Sequence, residues 1–126
     1  MDVNPLDQIV AFVSATDLEE ARAFYGELLG LEVISADDYS IVVRCGTTDL
    51  RITKVETLSP QPFTVLGWNV GDLVGTMTLL VGRGVEFLHF DGVDQNDAGV
   101  WVAPSGAHVA WFHDPDGNML SVTQPG

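Results

Sequence analysis

Gln8-Ile9-Val10-Ala11-Phe12-Val13 is short, apolar and rich in branched and aromatic residues, so it predicts a buried strand. Thr16 or Asp17 then supplies a helix N-cap, and Glu19 and Glu20 complement the helix dipole in the first turn. Leu18, Ala21, Phe24, Tyr25, Leu28 and Leu29 recur at helical spacing and form one apolar face. Gly30 ends the helix as a C′ glycine. Three strands follow, over residues 31–35, 39–45 and 49–55, separated by turn residues at Ala36-Asp37-Asp38 and Gly46-Thr47-Thr48.

Residues 56–62 carry two prolines and no periodicity, and read as a linker. The order then starts again. Residues 63–70 predict a strand. Asp72 caps a helix with Leu73, Met77 and Leu80 on its apolar face, and Gly82 or Gly84 ends it. Residues 85–90, 99–102, 108–113 and 119–123 predict strands. Gly30-Leu31-Glu32-Val33-Ile34 answers Gly84-Val85-Glu86-Phe87-Leu88, and Val13 to Leu18 answers Val70-Gly71-Asp72-Leu73. Such an internal repeat of about 50 residues decides the architecture. The expectation is one α+β domain of two tandem βαβββ modules, about 7–55 and 63–124, whose curved sheets enclose a cleft. The second module has an extra loop over residues 91–99, which serves as a solvated surface loop or as a lid.

Composition narrows the function. The formal charge is −13, with five basic residues, so nucleic acid and anionic membrane surfaces are not expected partners. The acidity serves solubility or selects a cationic ligand. The opening Met1 to Pro5 lacks a basic n-region followed by an apolar stretch, so no signal peptide is expected. No apolar run approaches the roughly 20 residues of a membrane span. The lone Cys45 cannot form an internal disulfide, which fits a cytoplasmic location; a small buried thiol is its expected role.

Asp17-Leu18-Glu19-Glu20-Ala21-Arg22-Ala23-Phe24-Tyr25, followed by Leu29-Gly30-Leu31, resembles the opening of the vicinal-oxygen-chelate superfamily. That superfamily includes glyoxalase I, extradiol dioxygenases and bleomycin-resistance proteins. Trp111-Phe112-His113-Asp114-Pro115-Asp116-Gly117-Asn118 resembles its closing hairpin. The resemblance spans nearly the whole chain. It implies a homodimer, and in metal-dependent members it implies His, Gln or Glu on four strands, two per half. The matching positions here are Val10 (with Gln8 as the neighbouring alternative), Arg51, Val65 and Ser121. No three of these chelate a divalent ion, so no metal or other cofactor is expected. Asp114, Asp116 and Asn118 mimic the start of a calcium loop, but Met119 and Pro125 stand where that loop needs Gly and Glu.

What remains is a pocket. Alternation along the strands sends Arg51 and Thr53, and Ser121 and Thr123, to the cleft side. Gly67 lies cleftward too and turns Trp68 toward the helix. Val10 and Phe12 form an apolar wall, Trp111 and His113 share a face, and Trp101 is a further stacking surface. Arg51 needs an anionic partner, either a protein carboxylate or a ligand group. The expected function is metal-independent binding of a drug or aromatic metabolite. The alternative is a lyase, isomerase or dioxygenase with a displaced metal or acid–base groups such as His113 and Glu56. A third option is an interaction module with a filled cleft.

Overall fold

In the computed structural model the described residues are 5–126; the opening Met1 to Asn4, part of the segment judged for a signal peptide, lies outside them. The chain forms two compact units, Met1–Glu56 and Thr57–Gly126.

In the first unit β1 is Val10–Ala15, α1 is Leu18–Arg22, and β2, β3 and β4 are Glu32–Ala36, Ser40–Cys45 and Thr48–Lys54. They build one mixed four-stranded sheet in the order β1-β4-β3-β2, with β1 parallel to β4. Asp17 is the cap: its Oδ1 accepts from the Glu19 and Glu20 amides at 3.0 and 3.1 Å. The predicted single α-helix changes form halfway. Residues Ala23–Leu28 make a π-helical turn, in which the Phe24 carbonyl accepts from Leu29 N at 2.9 Å. The wider turn accompanies two consecutive buried aromatics, Phe24 and Tyr25, whose rings meet edge to face at 5.0 Å. Gly30, with φ 77°, ends the segment as predicted.

The second unit repeats the plan. β5 is Thr64–Asn69, α2 is Leu73–Gly82, and β6, β7 and β8 are Trp101–Val102, His108–His113 and Met119–Gln124. The sheet order is β5-β8-β7-β6, with β5 parallel to β8, so the strand order of the first sheet recurs. Asp72 caps α2 through the Gly75 amide at 3.0 Å, and Gln124 Oε1 accepts from Leu73 N at 2.9 Å. Gly84, with φ 99°, is the glycine that follows the helix end; Val85 N reaches back to the Leu80 carbonyl at 3.0 Å. The α+β class and the two-module pattern are therefore those the sequence predicts.

Several expectations change in detail. The first strand runs over 10–15 rather than 8–13, following its partner β4. Residues 85–90 are not a strand. Val85 is buried and Phe87 packs edge to face on Phe112 at 5.7 Å, but of the ladder only Leu88 N to the Trp111 carbonyl forms, at 2.8 Å. The Gln95 side chain takes over from a neighbouring strand, accepting from Phe90 N at 2.7 Å and donating to the Leu88 carbonyl at 2.9 Å. Backbone groups that have a side-chain partner need no ladder. The strand predicted over 99–102 shortens to Trp101–Val102. Cys45 is exposed rather than buried, because the β3–β4 hairpin from Arg44 to Thr48 projects beyond the apolar face.

In each unit the helix covers one sheet face. Val13, Ile41, Val43, Leu50 and Ile52 are buried in the first; Leu73, Met77, Ala110, Phe112, Leu120 and Val122 are buried in the second. No helix of the described residues is long and apolar enough to cross a membrane.

The hairpin between β7 and β8 turns on Asp114, which is buried. Its Oδ1 accepts from Asp116 N at 3.0 Å and Asn118 N at 2.9 Å, and its Oδ2 from Asn118 Nδ2 at 2.8 Å. Gly117 takes φ 85° in the same turn, a left-handed conformation that glycine adopts without strain. Asp114→Ala strips several donors of a charged acceptor and is expected to lower stability by about 3 kcal/mol in urea unfolding. An unchanged midpoint would show that the turn holds without the carboxylate.

Candidate functional site

Because a helix covers one face of each sheet, the other face carries the remaining side chains. In the second unit, register decides which they are. Ala110 faces Val122 and Phe112 faces Leu120 on the helix side. Trp111 therefore pairs with Ser121 on the open side, Val109 with Thr123, and His113 with Met119. Trp101 joins them opposite Val109. Gly67 pairs with Ser121, and its neighbour Trp68 with Val122 on the helix side. Gly67, Trp111, His113, Ser121 and Thr123 thus share one face, as alternation predicts, and the β6–β7 register adds Trp101 to it.

At the centre of this face is an aromatic cluster. Trp101 and Trp111 have ring centroids 6.1 Å apart and planes tilted by 35°. Phe90 meets Trp111 edge to face at 5.4 Å. The Trp111 indole Nε1 donates to Thr64 Oγ1 at 3.1 Å, which fixes the ring across the sheet. Trp101 also borders a hollow of 310 Å³ shared with Asp94 and His108. Gly67 leaves room for its neighbour: a Cβ there would stand 2.5 Å from Ser121 Oγ.

Gln95 is the residue that sequence reasoning missed. Besides its bonds to Phe90 and Leu88, it donates to the Gly99 carbonyl at 2.8 Å, and it bridges to Trp101. One amide thus ties the 91–99 loop to the segments that bring Phe90 and Trp101 to Trp111. A lone Gln between Asp94 and Asn96 has no local pattern that would announce this role.

In the first unit, Val10, Phe12, Ser14, Arg51 and Thr53 share the open face, since Phe12 pairs with Arg51 and Ser14 with Thr53 while Val13 and Ile52 are buried. The apolar wall is open to solvent: Phe12 is 62 % exposed. Arg51 is exposed as well. The ion pair found among the described residues is its neighbour's, Arg44 Nε to Asp49 Oδ1 at 2.7 Å, and not one of Arg51. The Arg44 hydrogen bond holds the Asp49 carboxyl below its usual range and raises the Arg44 guanidinium. Asp37 is lowered chiefly by the amides of Tyr39 and Ser40, which donate to its Oδ1 at 2.7 and 2.8 Å, with a smaller contribution from Arg51.

The sequence belongs to the Glyoxalase/Bleomycin resistance protein/Dioxygenase superfamily, whose family model matches residues 6–122. No curated protein matches the sequence. Among solved structures, a glyoxalase family protein from Bacillus anthracis has a TM-score of 0.77 at 21 % identity, with 100 % of both chains covered. A lactoylglutathione lyase from Agrobacterium tumefaciens has a TM-score of 0.73 at 18 % identity, covering 96 % of this chain and 95 % of its own. A bleomycin-binding protein in complex with bleomycin has a TM-score of 0.72 at 20 % identity, covering 96 % of this chain and 100 % of its own. These are likenesses of fold.

A divalent metal at the four positions the resemblance points to does not fit the side chains there. Val10 and Val65 offer no donor, Arg51 carries positive charge, and Ser121 offers a neutral hydroxyl. The alternative, Gln8, has its Nε2 on the Thr47 carbonyl at 2.6 Å. Among the described residues no three of His, Cys, Asp and Glu cluster as a metal site would require.

Two outcomes follow from this geometry. Gly67→Ala crowds Ser121 and is expected to destabilise by about 2 kcal/mol; adding Ser121→Ala, which removes the nearest atom, recovers part of the loss in thermal unfolding. No recovery would mean that the backbone carbonyl of Ser121 sets the limit. For Asp37, a folded-state pKa below the unfolded one stabilises above the unfolded value and is lost as pH falls through the folded one. The melting-temperature gap between the native protein and Asp37→Asn is therefore expected to be full near neutrality and to close in acid. A gap constant down to about pH 3 would contradict this.

Proposed function

We propose that this chain binds a planar aromatic or heteroaromatic small molecule, a drug or an aromatic metabolite, without a metal. The observation that carries the proposal is the Trp101–Trp111–Phe90 cluster on the open sheet face of the second unit. Large rigid rings held by a hydrogen bond to Thr64 and by the Gln95 staple offer stacking area that is already ordered. Ser121, Thr123 and His113 supply polar groups around them, and Gly67 supplies open backbone. On the first unit's own open face, Val10, Phe12 and Thr53 are proposed as a ligand-binding surface in their own right, with Arg51 as the partner for a carboxylate or phosphate. The misfit of the side chains to a divalent ion supports binding over metal-assisted chemistry. The neighbour solved with bleomycin makes bleomycin the first compound to try.

The same reading makes the protein a cytoplasmic homodimer that avoids nucleic acid. The charge of −13 and the lone Cys45 support the location and the avoidance. The strands that end each sheet, β1 and β2, β5 and β6, support dimerisation because a sheet edge can add a strand from a second chain.

The test is titration of bleomycin and a panel of planar heteroaromatics, read by tryptophan fluorescence. A binding compound is expected to lose about tenfold in affinity with Trp101→Ala and again with Trp111→Ala, roughly 1.4 kcal/mol each. Binding that ignores both substitutions would sink the stacking site. Saturable thermal stabilisation by Ni²⁺, Zn²⁺, Fe²⁺ or Mn²⁺ would overturn the metal-free part.

A further inference from the structure

A second candidate surface lies on the helix side of the second unit, on the face opposite Trp111. Residues Leu73–Gly82 of α2 include no charged side chain. One stripe of the helix, Leu73, Met77 and Leu80, is buried. Another, Val74, Thr78 and Val81 at i, i+4 and i+7, faces outward, with Val74 74 % exposed. A surface helix ordinarily turns a charged or strongly polar face to water, so an uncharged outer stripe with two exposed valines is a candidate contact surface.

Beside that stripe the chain folds back and forms a groove of about 660 Å³, within the size range of small-molecule sites. Phe87 and Val100 extend its apolar lining, and residues 96–98 form the far wall. That wall is ordered by its own side chains. Asn96 Oδ1 accepts from Ala98 N at 3.0 Å and Val100 N at 2.9 Å, next to the Gln95 staple. The ionisable side chains that line the groove are Glu86 and Asp97, both acids, and no Lys or Arg lines it.

We propose that this groove binds an amphiphilic cation: an apolar body carrying a protonated amine or a quaternary ammonium. The apolar body covers the Val74–Val81 stripe and Phe87. The cationic head sits toward Glu86 and Asp97. An anionic head would meet two like charges, and a neutral one would gain nothing from them. The acidic chain as a whole raises the local concentration of cations further. This site is separate from the stacking face and does not depend on it.

The test uses decyltrimethylammonium below its micelle concentration, followed by calorimetry, with decyl sulfate and decyl maltoside as matched chains. Circular dichroism checks that the protein stays folded. One equivalent of the cation is expected to bind, at least about tenfold more tightly than either control. Glu86→Gln with Asp97→Asn removes that preference. Thr78→Trp, which fills the groove from an exposed position, abolishes binding, and Val81→Lys does the same by charge. Trp111→Ala leaves binding unchanged, which separates this site from the aromatic face. Equal binding of all three chains, binding that survives Thr78→Trp and Val81→Lys, or no binding at all would overturn the proposal. So would a dimer in sedimentation that Thr78→Trp dissociates, because a second copy would then be the occupant.

Discussion

The parallel pairing of the first and last strands in each unit is the constraint from which the rest follows. β1 lies beside β4 and β5 beside β8 in the same direction. Parallel neighbours cannot be joined by a hairpin, so the chain must leave the sheet after β1 or β5 and return across it. The returning segment is a helix, and it covers one face. Everything apolar that the helix covers becomes core: Ile52 and Val43 in the first unit, Leu120 and Phe112 in the second. Everything that alternates with those residues is left on the uncovered face. The positions of Arg51, Trp111 and Ser121 are therefore by-products of core formation, fixed by strand period two.

Two local departures from regular structure occur where that plan is under geometric pressure. In the first unit the chain buries two consecutive aromatics, Phe24 and Tyr25, and the helix widens into a π turn there. In the second unit the return from α2 must bury Val85 and bring Phe87 onto Phe112 before reaching the sheet edge. That path leaves residues 85–90 without a ladder, and the Gln95 amide satisfies three backbone groups instead. Unpaired backbone groups cost free energy comparable to a lost hydrogen bond, so this one side chain stabilises the loop out of proportion to its size.

This difference between regular plan and local solution explains what the sequence discloses. The helix caps (Asp17, one of two candidates with Thr16, and Asp72), Gly30 and the Asp114 turn are local signals, each read from a few adjacent residues, and each appears in the structure. The shared faces were legible too, because alternation needs only the strand and its register. Gln95 was not legible, since its partners Leu88, Phe90 and Gly99 are joined to it by loop geometry and not by a period. Cys45 was misplaced for a related reason. It continues an apolar strand, and nothing in Ile41-Val42-Val43-Arg44-Cys45 says where the covering face stops. Phe12 and Arg51 share a face by register, but alternation fixes a side and says nothing of exposure.

Separating core from open face also explains how a chain of this superfamily keeps its fold with valine, arginine and serine at the positions considered for a metal. None of Val10, Arg51 or Val65 contributes to the buried core, and Ser121 alone among the four is buried. Their exchange therefore leaves the cores behind α1 and α2 intact. Ser121 is the exception that ties the two faces together, because the absent side chain of Gly67 is what gives its hydroxyl room. A carboxylate at position 121 would need that space and more. The Gly67–Ser121 pair thus fits a small neutral group there, and the open face of the second unit is left to its tryptophans.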